Sequence, residues 1–159
     1  MHFNVTLEAM TKDEIIGFVA SLGGVLVLQP CEGDGSPEIA WGDTFFYYAP
    51  DGVIPRGQPF ATIVTKDYPG DTSSRLDRSA ATFRVNVAAD AAQVREWTLA
   101  GADPSDTDTI GPHPVYRGWL SVVDPGERTR AALEDLLRDA HTRAPRTVRP
   151  ARALTVSAR

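Results

Sequence analysis

The chain is poor in the residues that usually announce chemistry. Its 159 residues include one cysteine, Cys31, and three histidines, of which His2 and His141 lie toward the ends. A single thiol excludes an internal disulfide framework and suits a reducing compartment. One cysteine and scattered histidines do not make a zinc site of usual spacing. No apolar run reaches the roughly 20 residues of a membrane-spanning helix. Residues 1–9 lack the basic start and long apolar core of a secretory signal, so a cytoplasmic protein is expected.

Several motifs are missing too. There is no Gly-x-Ser-x-Gly elbow and no phosphate loop ending in Gly-Lys-Ser/Thr. Gly33-Asp34-Gly35 is not a dinucleotide fingerprint. Asp103, Asp106 and Asp108 share a loop but lack the glycine and terminal glutamate of a calcium-binding hand. Neither a metal nor a cofactor is expected. Cys31 has no activating neighbour in sequence, which makes it a poor candidate nucleophile.

What remains is an ordinary globular composition, 42% apolar and 23% charged. This length predicts one domain, able to bury roughly 70% of its unfolded surface without staples. The formal net charge is −5, and residues 142–159 hold five arginines and no acid. The body is therefore more acidic than the total, which argues against nucleic acid as a partner. Pro145 and Pro150 break the basic end, which has little to bury. It is expected to be a disordered tail. The expected organisation is an extension over 1–9, a single α+β domain over 10–141 and the tail over 142–159.

Thr11 and Glu14 frame a capping box, followed by Ile15, Phe18, Val19 and Leu22 at helical spacing. Gly23-Gly24 closes that helix. Short apolar strands are expected near 25–28, 44–49, 60–66 and 82–88. A second capping box, Asp90 with Gln93, opens a helix carrying Val94 and Trp97. Residues 101–114 are expected to be loop, 118–123 a strand. Asp124 and Pro125 are expected to start a last helix buried through Leu133, Leu136, Leu137 and Ala140. The order α-β-β-β-β-α-β-α predicts a mainly antiparallel sheet with helices on one face.

The later strands alternate. Phe83, Val85 and Val87 interleave with Thr82, Arg84 and Asn86, and Leu120 and Val122 with Trp119 and Ser121. The aliphatic set should lie under the helices. The polar set, with Thr62, should face an open side. Lys66, Arg84, Asn86, Tyr116, Trp119 and Ser121 are therefore candidate ligand-binding residues. Arg84 and Lys66 would take negative charge, Asn86 and Ser121 would orient the ligand, and aromatic rings would pack on it. His113, stiffened by Pro112 and Pro114, is the candidate general acid/base, with Asp67 as its orienter. Internal use competes at each position. His113 suits a backbone hydrogen bond. Lys66 and Asp67 suit loop ion pairs. Arg84 suits Asp43, Asp67 or Asp77.

Three readings follow. The first is a binding module for a small polar or anionic molecule on the open sheet face. The second is a hydrolase-like enzyme using His113. The third is a protein–protein interaction module, with a homodimer as one form, displaying outward aromatics and the basic tail.

The segments Ser36-Pro37-Glu38-Ile39-Ala40-Trp41-Gly42-Asp43, Pro59-Phe60-Ala61-Thr62-Ile63-Val64-Thr65-Lys66-Asp67-Tyr68-Pro69-Gly70 and His113-Pro114-Val115-Tyr116 with Gly118-Trp119 resemble a bacterial, DUF6194-like domain of unknown function. That resemblance implies no activity and no functional residues. Gly118-Trp119-Leu120-Ser121-Val122 before a helix is also similar to the MmcQ/YjbR-like family. This second resemblance implies a CyaY-like α+β fold and a suggested DNA-binding role.

Overall fold

A computed structural model describes residues 9–145. The 1–9 extension, save for Ala9, and the tail beyond Pro145 lie outside the described residues. Among those described are helices α1 (Lys12–Ala20), α2 (Ala91–Thr98) and α3 (Arg130–Arg143). Strands are β1 (Val25–Leu28), β2 (Thr44–Tyr48), β3 (Ala61–Val64), β4 (Arg84–Ala88), β5 (Ile110–Pro112) and β6 (Trp119–Val123). The strands form one sheet in the order β1-β2-β3-β4-β6-β5, every pair antiparallel. The fold is therefore α+β. No described helix is long and apolar enough to cross a membrane.

Local chemistry sets the helix starts. The Glu14 N–H donates to Thr11 Oγ1 at 3.0 Å while Glu14 Oε1 accepts from the Thr11 N–H at 2.8 Å. Asp90 and Gln93 repeat the arrangement at α2. Gly24, at φ +66°, returns the chain to the sheet beneath Tyr48. A Cβ there would stand 2.6 Å from the Tyr48 ring, so a larger residue would push the tyrosine aside.

One face of the sheet carries the core. Phe46, Ile63, Val85, Val87, Leu120 and Val122 pack beneath Ile15 and Val19 of α1 and Leu133, Leu136, Leu137 and Ala140 of α3. Val94 and Trp97 of α2 join the same core. Burying an aliphatic side chain of this size contributes about 1.5–3 kcal/mol.

Three sequence expectations change. First, β5 lies inside the expected 101–114 loop. Its Gly-Pro ending hides it, and Pro112 is tolerated because β5 is an edge strand. Second, α3 begins at Arg130, later than Asp124-Pro125 implied, and continues to Arg143. Asp124 instead accepts from the Phe83 N–H at 3.0 Å. The cap comes from far away in sequence. Asp108 accepts from the N–H groups of Gly126, Arg128 and Thr129 and from the Thr129 hydroxyl. Against the cost of burial, these donors hold the Asp108 carboxyl below its ordinary pKa. Third, the polar face is not open. Residues 67–79 cross it, and Leu76 and Tyr68 pack on Val64 and Val123 to form a second small core.

Candidate functional site

The register aligns Thr62, Asn86 and Ser121 across β3, β4 and β6, and places Val64, Arg84 and Val123 in the next row. All of these are buried, and Arg84 is 2% exposed. A cation so far from water needs a partner. The partner is Asp71, which was not among the acids expected for it. Pro69-Gly70 forms the corner of a tight turn in which Tyr68 and Asp71 exchange backbone hydrogen bonds, and this brings Asp71 back over the sheet.

The guanidinium forks onto that carboxylate, Nη1 to Oδ1 at 3.1 Å and Nη2 to Oδ2 at 2.6 Å. Nη1 also donates to Ser74 Oγ at 2.8 Å, and Nε donates to Asn86 Oδ1 at 2.9 Å. Ser121 Oγ donates to the same Asn86 oxygen, and Asn86 Nδ2 donates to Thr62 Oγ1. Burial would raise the Asp71 pKa, but the Arg84 hydrogen bonds and charge outweigh it and hold Asp71 below the ordinary value. Arg84, Asn86 and Ser121 thus spend their polar atoms on one another. The turn that supplies Asp71 was the available sequence signal: a buried arginine on a central strand demands an acid, and Tyr-Pro-Gly-Asp folds back.

His113 is 9% exposed and sits at the edge of this network. Its Nδ1 accepts from the N–H groups of Val115 at 3.0 Å and Tyr116 at 2.9 Å. Two backbone donors at Nδ1 assign the ring proton to Nε2. Nε2 then faces Arg84 Nη2 at 3.3 Å and Asp71 Oδ2 at 3.8 Å. Burial, followed by the Arg84 charge and only partly opposed by Asp71, depresses the His113 pKa to about 4. Neither nitrogen offers a substrate a free lone pair in this arrangement. Asp67 is not the acid beside it. Asp67 Oδ1 accepts from the Leu76 N–H at 2.9 Å and shapes the covering loop.

Lys66 belongs to a third group. Its Nζ donates to the carbonyls of Ile39 and Trp41 and to Asp43 Oδ1 at 3.0 Å. Asp43 is fully buried and also accepts from the Thr65 N–H, the Thr65 hydroxyl and the Tyr68 hydroxyl. Lys66 therefore ties the short 3-10 turn Glu38–Ala40 to the end of β3.

Tyr116 and Trp119 have a different setting. The His113 N–H donates to the Trp119 carbonyl at 2.8 Å and closes the β5–β6 hairpin. Gly118, at φ +79°, turns the chain back into β6. The hairpin loop stands apart from α2, and between them lies an open cleft of about 480 Å³. Val94 and Arg95 line one wall. Pro112, Tyr116, Arg117 and Trp119 line the other, together with His113, whose ring centroid is 4.9 Å from that of Tyr116. Of the residues selected from sequence, His113, Tyr116 and Trp119 meet here, whereas Lys66, Arg84, Asn86 and Ser121 do not. Arg95, Arg117 and Val94 were not selected. They carry no motif, and only the approach of α2 to the hairpin makes them neighbours.

Fold and site together define an antiparallel α+β protein with a closed polar network on one sheet face and an open cleft at the hairpin end. The chain belongs to a family of unknown function, DUF6194, whose model matches residues 10–153. Searches of curated proteins and of solved structures find no match.

Proposed function

We propose that this chain is a small-molecule-binding module and that its ligand occupies the cleft between α2 and the β5–β6 hairpin. The observation that carries this reading is a recess of about 480 Å³ beside the rings of Tyr116 and Trp119. That volume falls in the roughly 300–1,000 Å³ range of ligand sites. The single cysteine supports a reducing, cytoplasmic setting. The sheet face expected to hold the ligand is a weaker candidate, because its polar atoms are paired internally.

A metabolite library screened by thermal shift tests the proposal. A ligand at a hundred times its Kd adds about 2.7 kcal/mol. For a chain of this length that is several degrees in Tm. Hits should stabilise the wild type and lose their effect in Tyr116→Ala. A screen without hits at millimolar concentrations removes the reading.

An interaction module is the second reading. It is favoured by two large side chains standing in solvent, Leu99, 83% exposed, just after α2, and Tyr116, 63% exposed, in the cleft lining. Light scattering across a hundredfold concentration range tests self-association, and a constant monomer mass counts against it. The enzyme reading has less support, since the His113 nitrogens are engaged.

A further inference from the structure

Arg95 enters the cleft from α2 and Arg117 from the hairpin, so cations stand on both walls. No aspartate or glutamate lines the recess, although acids outnumber Lys and Arg by 21 to 16 in the chain. Both arginines are exposed, and neither has an ion-pair or hydrogen-bond partner for its side chain among the described residues. Arg84, Arg78, Arg138 and Arg143 each bond a neighbour, whereas the side chains of Arg56, Arg75 and Arg128 also lack a partner among the described residues. What sets Arg95 and Arg117 apart is that they line one recess from opposite elements. Apart from His113, whose ring nitrogens are engaged by the Val115 and Tyr116 amides and by Arg84, the rest of the lining is flat or apolar, chiefly Val94, Pro112, Tyr116 and Trp119.

From this juxtaposition we infer that the cleft selects a planar aromatic carboxylate, its ring against Trp119 and Tyr116 and its carboxylate between Arg95 and Arg117. The inference rests on the binding reading above and specifies its ligand class. A guanidinium is a planar fork that matches a carboxylate through two parallel hydrogen bonds. Aromatic side chains supply a flat surface with little rotamer entropy to lose. A neutral ligand would leave two cations unused, and a bare anion would leave the aromatic wall unused. The acidic body repels anions at long range, so the selectivity must come from these two side chains at contact.

The test uses the full chain and three probes: 1-naphthoate, its neutral amide 1-naphthamide, and inorganic phosphate. Binding is followed by NMR shifts of the Trp119 indole, assigned with Trp119→Phe. Naphthoate should bind about tenfold more tightly than the amide, a gap of one hydrogen-bonded charge. The gap should close in Arg95→Gln/Arg117→Gln, whose Tm should match wild type because both side chains are exposed. Equal binding of acid and amide overturns the inference and leaves the binding module standing. So does a gap that persists in the double variant, or phosphate binding as tightly as naphthoate. If neither aromatic probe binds, the ligand class falls, and an empty metabolite screen would take the binding reading with it.

Discussion

His113 Nε2 lies 3.3 Å from Arg84 Nη2, so two nitrogens that both carry protons face each other at the boundary between the buried network and the cleft. The contact survives because the ring is fixed from its other side by two backbone N–H groups. It also keeps the imidazole neutral. A second proton would have to enter at Nδ1, against those same donors.

That arrangement has a pH signature. The His113 pKa is about 4 in the folded chain and about 6.5 when unfolded. Between these values the unfolded state binds more protons, so stability falls as pH falls from 6.5 to 4, by on the order of a kcal/mol per pH unit. Asp71, also depressed, extends the loss below its unfolded pKa. Urea unfolding from pH 7 to 4 should show this slope. His113→Asn, which keeps an acceptor near the Val115 and Tyr116 amides, should flatten it.

The Arg84–Asp71 pair should behave as one unit. Arg84→Met leaves Asp71 without its counter-ion, and Asp71→Asn leaves a buried guanidinium short of charge. Each should cost about 3–5 kcal/mol. The double variant should cost clearly less than the sum, because neither partner is then left alone. Strict additivity in urea denaturation would contradict the fork geometry.

Asp108 should matter to a helix that starts more than twenty positions away. Asp108→Ala removes the acceptor for three N–H groups and one hydroxyl at the start of α3. A lost cap costs typically about 1 kcal/mol and up to about 2. The upper value is expected here. Hydrogen exchange should quicken first at Gly126, Arg128 and Thr129.

Tyr68 should resist alkaline ionisation. Burial, followed by its hydrogen bond to and charge repulsion from Asp43, raises its pKa far above the ordinary value. With the folded pKa above the unfolded one, the stability it contributes is complete below about pH 10 and declines above it. Burial also raises Tyr47, so an ultraviolet titration should show Tyr68 ionising last of the tyrosines. Tyr68→Phe should abolish that phase, and Asp43→Asn should move it toward lower pH.

Much of the frame was legible along the chain. The capping boxes at Thr11 and Asp90 act over three residues, so they can be read wherever they occur. The alternation from Phe83 to Val87 assigns sheet faces because side chains in a strand point opposite ways in turn. Trp119 and Tyr116 stood out as aromatics beside a histidine. The partners of Arg84 and Lys66 were not legible. Asp71 is thirteen positions from Arg84, Asp43 is twenty-three from Lys66, and several other acids had an equal claim on sequence.

The sequence by itself determined most of the helices and strands, β5 and the start of α3 excepted, and which side of the alternating strands is greasy, since those choices depend on neighbours within a turn or two. Tertiary structure alone decided which polar residues are spent and which are free. The 67–79 segment folds over the sheet and brings Asp71 to Arg84, closing a face that alternation had made look open. The approach of α2 to the β5–β6 hairpin leaves Arg95 and Arg117 facing an unfilled recess. Both outcomes turn on distances between segments far apart in the chain, and a buried charge is settled by whichever opposite charge the fold carries within reach.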